Sequence, residues 1–118
     1  MKENEVKVTE LNVLWTTGDP VTSETMLLLY TLNAKKRAWF DKVNIIIWGA
    51  SATLVAENNK IQALVIEAIA NGVKIEACLH CADQLNVSDK LREVGVSLGY
   101  MGVQLSNIIK DRKHLITI

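Results

Sequence analysis

Residues 76–84 read EACLHCADQ and hold both cysteines of the chain, Cys78 and Cys81, with His80 between them. Four chemistries compete for such a stretch. A structural zinc site takes about four N or S ligands. Cys78, Cys81, His80 and the remote His114 exhaust the cysteines and histidines, with poor spacing and no second C-x-x-C. Covalent haem attachment needs a histidine directly after the second cysteine, where Ala82 stands. No metal and no cofactor are expected. Thioredoxin-type dithiol exchange keeps the C-x-x-C spacing, but that motif opens a helix after an early strand, whereas this pair follows the third strand of the pattern below. A nucleophile that carries or exchanges a group, with Cys78 as the candidate, requires a solvent-reachable thiolate. Two small thiols can also simply fill a core. The last three readings stay open on the residues alone.

The elements around this stretch decide where the sulfurs stand. The charged start MKENEVKVTE lacks a clear period and reads as a polar arm over residues 1–10, ahead of a single domain over 11–118. LNVLWTT (11–17) reads as a buried strand, broken at once by GDP (18–20). Thr22 or Ser23 can cap the helix that follows, which should run to about Phe40 with Glu24 in its first turn. Its segment MLLLYTL puts apolar groups on more than one face, which points either to association or to a helix wedged deeply between its neighbours.

KVNIIIW (42–48) is a nearly continuous β-branched run, as in a parallel strand covered on both faces, and stops at GAS, where Ser51 can cap a short turn of helix. Ile61, Leu64, Val65, Ala68 and Ile69 fall on one face of a helix that NG (71–72) terminates. VKIEACL (73–79) alternates and predicts a third strand. NVSDKLREVG (86–95) predicts a short helix from a capping Ser88 to Gly95. A fourth strand is expected at VSLGYM (96–101), a helix at 103–111 and a last strand at 113–118. Strand and helix alternate with crossovers long enough for parallel pairing, which means a three-layer α/β domain with helices on both sides of a parallel sheet.

In an open parallel sheet, ligands collect outside the carboxyl ends of the strands. That rim comprises WTTGDP, WGAS, ACLHCAD and YMG, so both cysteines belong to it. A small-ligand site there has Trp15, Gly18, Trp48, Gly49 and His80 as candidate residues: the two strand-end tryptophans can wall an apolar pocket beside Cys78, with ordinary core packing of both indoles as the favoured alternative. Asp83 and His80 are the nearby groups able to orient or protonate a thiol. TTGDPVTSET places a glycine turn before a helix, but it lacks both a Walker lysine and G-x-G-x-x-G, and an ordinary strand-to-helix turn explains it.

Composition sets the outer bounds. At 118 residues, with 49% hydrophobic and 22% charged residues, the chain can bury one core without disulfide staples. Thirteen basic and thirteen acidic residues cancel, so neither nucleic acid nor an anionic membrane is an expected partner. The start has no apolar signal-peptide core, and no apolar run approaches the ~20 residues of a membrane span. A cytoplasmic location follows as an expectation, and in that reducing setting two cysteines read as thiols or a transient pair.

IIIWGASATLVAENNKIQALV, NGVKIEACLHCADQLNV and LREVGVSLGYMG, followed by an aliphatic last strand, resemble the DsrE/DsrF-like (YchN-like) family of small α/β proteins from about Leu11 onward. GVKIEAC followed by CADQLNV is the most specific piece. The resemblance implies a five-stranded parallel sheet of order 4-3-2-1-5 and assembly into homotrimers or hexamers. For the sulfur-relay members it also implies a cysteine that accepts a persulfide sulfur and passes it on. Cys78 matches that residue, and Cys81 matches the second cysteine of members bearing C-x-x-C, a candidate to resolve the persulfide by forming a disulfide. Sulfur donor and acceptor proteins are the implied partners.

Overall fold

Runs of Val, Ile and Leu make strands wherever a breaker stops them from coiling, and here they build β1 (Glu10–Trp15) and β2 (Lys42–Ile47). The computed structural model describes residues 8–118. Of the expected polar arm, positions 1–7 lie outside the described residues. Thr9 is already tied down, its carbonyl accepting from the N–H groups of Asp41 and Lys42 at 2.8 and 3.0 Å.

After β1 the chain turns at Gly18, and Asp19 caps the first helix by accepting from the Thr22 N–H at 2.8 Å, with Pro20 in the first turn. The expected cap at Thr22 or Ser23 is therefore corrected. The Thr22 backbone N–H, aided by its side chain, holds the Asp19 carboxyl below the usual carboxylate range. Ser23 is buried instead, and its Oγ accepts from Trp15 Nε1 at 3.1 Å.

Helix α1 (Pro20–Thr22) continues into a π-helical stretch, Ser23–Leu28, and then α2 (Leu29–Lys36). A π-helix rotates less per residue than an α-helix, so the consecutive Leu27 and Leu28 both reach the core. Val21, Met26 and Leu29 stay exposed, which is the second apolar face seen in the sequence. The helix ends at Lys36 rather than near Phe40, because Ala38 takes a φ of 56° and turns the chain back.

The remaining elements are α3 (Ala50–Glu57), α4 (Asn59–Ala70), β3 (Lys74–Cys78), α5 (Leu79–Gln84), α6 (Ser88–Val94), β4 (Ser97–Gly99), α7 (Met101–Lys110) and β5 (Leu115–Thr117). Two expected caps are replaced. Gly49 and Val87 occupy the cap positions of α3 and α6, while the hydroxyls of Ser51 and Ser88 are used elsewhere. Asn58 caps α4, accepting from the Ile61 N–H at 3.0 Å.

All five strands are parallel in the order β4-β3-β2-β1-β5. Crossovers between parallel strands are right-handed, so direction of travel fixes the face on which each helix lies. From β1 to β4 the chain steps one way, and the intervening helices share one face, over a core that includes Val13, Trp15, Ile45, Ile47, Ile75, Ala77 and Leu91. The return from β4 to β5 runs the other way and carries α7 alone to the opposite face. There Met101 and Ile108 pack on Ile46 and Cys78. The three layers are thus unequal.

Where α7 leaves the second face uncovered, the sheet turns polar. Asn12, buried, donates to Glu10 Oε2 at 3.0 Å and to the His114 carbonyl at 3.1 Å, and accepts from Asn44 at 3.0 Å. Gln104 of α7 donates to Glu76 at 2.8 Å. Among the described residues no helix is long and apolar enough to cross a membrane.

The Trp15–Ser23 bond gives a direct test. Ser23→Ala leaves the indole N–H of a fully buried Trp15 without its acceptor, and should lower unfolding stability by about 1–3 kcal/mol in denaturant titrations.

Candidate functional site

Strand parity assigns the sulfurs. In β3 successive side chains alternate between faces, so Ala77 enters the main core and Cys78 points to the face carrying α7. Cys78 is 5% exposed, packed with Ile46, Met101 and Ile108. It is also the cap residue of α5, with extended backbone angles, so the next residues coil away at once. Cys81 sits in the first turn of that helix, half-buried. It touches the cluster around Cys78 on one side and lines an open cavity on the other.

This cavity, about 760 Å³, lies at the carboxyl rim and gathers Gly18 after β1, Gly49 after β2 and Cys81 after β3. Its remaining wall is the length of α3, with Ala50, Thr53, Leu54, Glu57 and Asn58, and the end of α5, with Gln84 and Leu85. The Gly49 N–H donates to Cys81 Sγ at 3.3 Å, and Sγ lies 3.9 Å from the Gly49 carbonyl, so one backbone unit orients the sulfur.

Gly49 holds this position with φ 83° and ψ −139°, angles that glycine alone adopts without strain. The turn is locked from below by Ser51, buried, whose hydroxyl accepts from the Trp48 N–H at 3.2 Å and donates to the Trp15 carbonyl. Gly18 lets the β1 turn approach the start of α3 closely: a Cβ there would stand 3.2 Å from the Ala50 side chain, a tight contact.

The structure therefore redistributes the expected site residues. Gly18, Gly49 and Cys81 come together. Trp15 does not line the cavity: it pairs with Ile47 in register, shares that residue's face, and is completely buried. Trp48, one residue beyond Ile47, points to the opposite face and packs on the cluster of Ile46 and Cys78. Two indoles on opposite faces of a sheet cannot wall one pocket. His80 is exposed and does not line the cavity. Asp83 accepts the Ser88 hydroxyl instead of facing a thiol. Of the YMG segment, Tyr100 lines a separate groove of about 740 Å³ on the α7 face, while Met101 is buried beside Cys78.

The structure places Cys78, the expected nucleophile, under α7 and 5% exposed, and the sulfur that lines the cavity is that of Cys81, the second expected site cysteine. His114 lies at the amino end of β1, where its carbonyl receives the Asn12 N–H, far from the cysteine rim. Among the described residues no three metal-ligating side chains cluster. The α3 wall was missed in the sequence. Its available signal was Asn58 placed three residues before Ile61, the spacing of a helix cap, which divides α3 from α4.

The fold has close counterparts among solved structures. The conserved protein of unknown function BT1422 from Bacteroides thetaiotaomicron is 37% identical, over 92% of this chain and 94% of that one, with a TM-score of 0.91. MTH1491 from Methanobacterium thermoautotrophicum, also described as of unknown function, shares the fold at 16% identity and a TM-score of 0.70, over 93% of this chain and 99% of its own. No family model and no curated protein matches the chain.

Two outcomes follow from the geometry. Under native conditions iodoacetamide should modify Cys81 and spare Cys78, with Cys78 labelled only after unfolding, as read by peptide mass mapping. Gly49→Ala meets no atom within 4 Å of the added methyl, so the cost is conformational. It should be about 1–3 kcal/mol in a denaturant titration and should change the labelling rate of Cys81.

Proposed function

We propose that this chain, which belongs to one family with BT1422 from Bacteroides thetaiotaomicron, is a DsrE-like sulfur carrier in which Cys81 presents the reactive sulfur to the rim cavity and Cys78 stands behind it. The observation that carries the reading is the Cys81 sulfur itself, half-buried, oriented by the Gly49 N–H at 3.3 Å, and open to a cavity large enough for a small molecule. The strand order, the same as the resemblance implies, supports the DsrE-like assignment.

The transfer balances without a cofactor. The Cys81 thiolate attacks the outer sulfur of a donor persulfide, the donor S–S bond breaks, and the donor leaves as its thiolate, giving Cys81 persulfide. Release follows by the same exchange onto an acceptor thiol. Alternatively, Cys78 attacks Cys81 Sγ, expels hydrosulfide and closes a disulfide, two thiols being oxidised as the carried sulfur is reduced. In this reading the protein works in the reducing cytoplasm. It also assembles with copies of itself, for which the exposed Tyr100, Val103 and Ile109 on and beside α7, and Val21, Met26 and Leu29 on the first helix, supply apolar surface.

A second reading rests on the same cavity: Ala50, Leu54 and Leu85 give it an apolar lining, suited to a non-catalytic carrier of a small ligand. No tryptophan lines it, so thermal shift is the better readout, and binding that survives loss of both thiols favours this reading.

Incubation with a cysteine desulfurase and cysteine should add a sulfur mass to the wild type and to Cys78→Ser, and none to Cys81→Ser. An adduct retained in Cys81→Ser would return the carrier role to Cys78. A wild type carrying neither the adduct nor a Cys78–Cys81 disulfide, together with an unmodified Cys78→Ser, would end the carrier reading.

A further inference from the structure

The cavity wall is one-sided in charge. Of the residues that line it, Glu57 alone has a formally charged side chain; Lys, Arg and His are absent, and Thr53, Asn58 and Gln84 supply neutral hydrogen-bonding groups. Helix α3 also lends the cavity a direction. Its start, at Gly49 and Ala50, faces the Cys81 sulfur, while its end, at Glu57 and Asn58, forms the other part of the wall about 12 Å away. The aligned peptide dipoles of α3 make the sulfur end electropositive; at the other end Asn58 already caps α4, whose own start offsets the carbonyl end of α3, so the negative charge there is the carboxylate of the exposed Glu57. The summed charge of the chain is zero, so no overall field overrides this local one.

We infer that the cavity selects small sulfur compounds of the aminothiol class, with a cationic group several atoms from the sulfur, and turns away anionic thiols and disulfides. This rests on Cys81 as the thiol that meets the cavity. A cationic amine seated toward Glu57 leaves its sulfur directed at Cys81, where the charge of the departing thiolate develops beside the start of α3. A carboxylate or phosphate in the same place meets the Glu57 carboxylate, with no cationic side chain among the residues that line the cavity.

Thiol–disulfide exchange reads this selectivity directly. The Cys81 thiolate attacks one sulfur of a symmetric disulfide, the S–S bond breaks, a new bond joins Sγ to the attacked sulfur, and the other half leaves as a thiolate. Cystamine, dithiodiethanol and dithiodipropionate supply cationic, neutral and anionic probes. Rates at Cys81 are measured in Cys78→Ser by mass spectrometry and in the wild type by released thiol, each divided by the probe's rate with a small free thiol.

The normalised rate should fall in the order cystamine, dithiodiethanol, dithiodipropionate, spanning about fivefold at low ionic strength and narrowing with added salt. Glu57→Gln should bring the three together. Equal normalised rates in the parent protein, or a faster anionic probe, overturn the selectivity while leaving Cys81 as the cavity thiol. No adduct at Cys81 with any probe overturns that assignment itself, and the selectivity with it.

Discussion

The alternation of side chains along β3 places every other part of the site. Ile75 and Ala77 must enter the main core, so the residue after Ala77 has to face α7, and that residue is Cys78. A one-residue shift of register would exchange the two faces. It would move Cys78 into the large core and bring Lys74 and Glu76 with it, which the apolar packing forbids. The buried position of Cys78 is thus a consequence of hydrophobic burial elsewhere in the strand. Because α5 begins at once, Cys81 leaves the parity of the strand and follows the helix over the rim, toward the turns after β1 and β2.

Handedness supplies the second constraint. Three crossovers in one direction stack their helices on a single face, and the return to β5 places α7 by itself on the other. One helix cannot cover five strands. The uncovered part of that face is consequently built from Asn12, Asn44, Glu10 and Glu76, whose polar atoms bond to one another, to the His114 carbonyl and to Gln104. The same asymmetry leaves Tyr100 and Val103 of the lone helix layer exposed.

Much of this architecture was legible in the residues, and the parts that were not have physical causes. The β-branched run of β2 and the apolar positions of α4 announced themselves, because burial of a whole strand or helix face leaves a period in the sequence. The rim was legible as a set of segments, and Gly18, Gly49 and Cys81 were among the residues named for it. Which side chain on the rim faces a cavity was not legible, since that depends on parity at the last strand residue, and Cys78, Trp15 and Trp48 were each placed by segment. The caps failed for a related reason: Ser23, Ser51 and Ser88 have the chemistry of capping residues, but burial turned their hydroxyls to Trp15 Nε1, the Trp15 carbonyl and Asp83. Asp19, with no core to serve, took the cap instead.

The poverty of the cavity wall in acid–base groups bears on which chemistry suits it. Hydrolytic and proton-abstracting reactions need a positioned general acid or base within reach of the reacting atom. Here the nearest candidates on α5 are engaged or turned outward: Asp83 holds Ser88, and His80 faces solvent. Exchange between sulfur atoms makes no such demand, because the attacking thiolate and the departing thiolate need only alignment and a place for the charge to develop. A sulfur oriented by one backbone N–H, opposite a wall of small and aliphatic side chains, meets that requirement and little else. Glu57 stands near the far end of the wall, away from the sulfur along α3, so in the proposed reading reactivity and selection would fall to opposite ends of one helix.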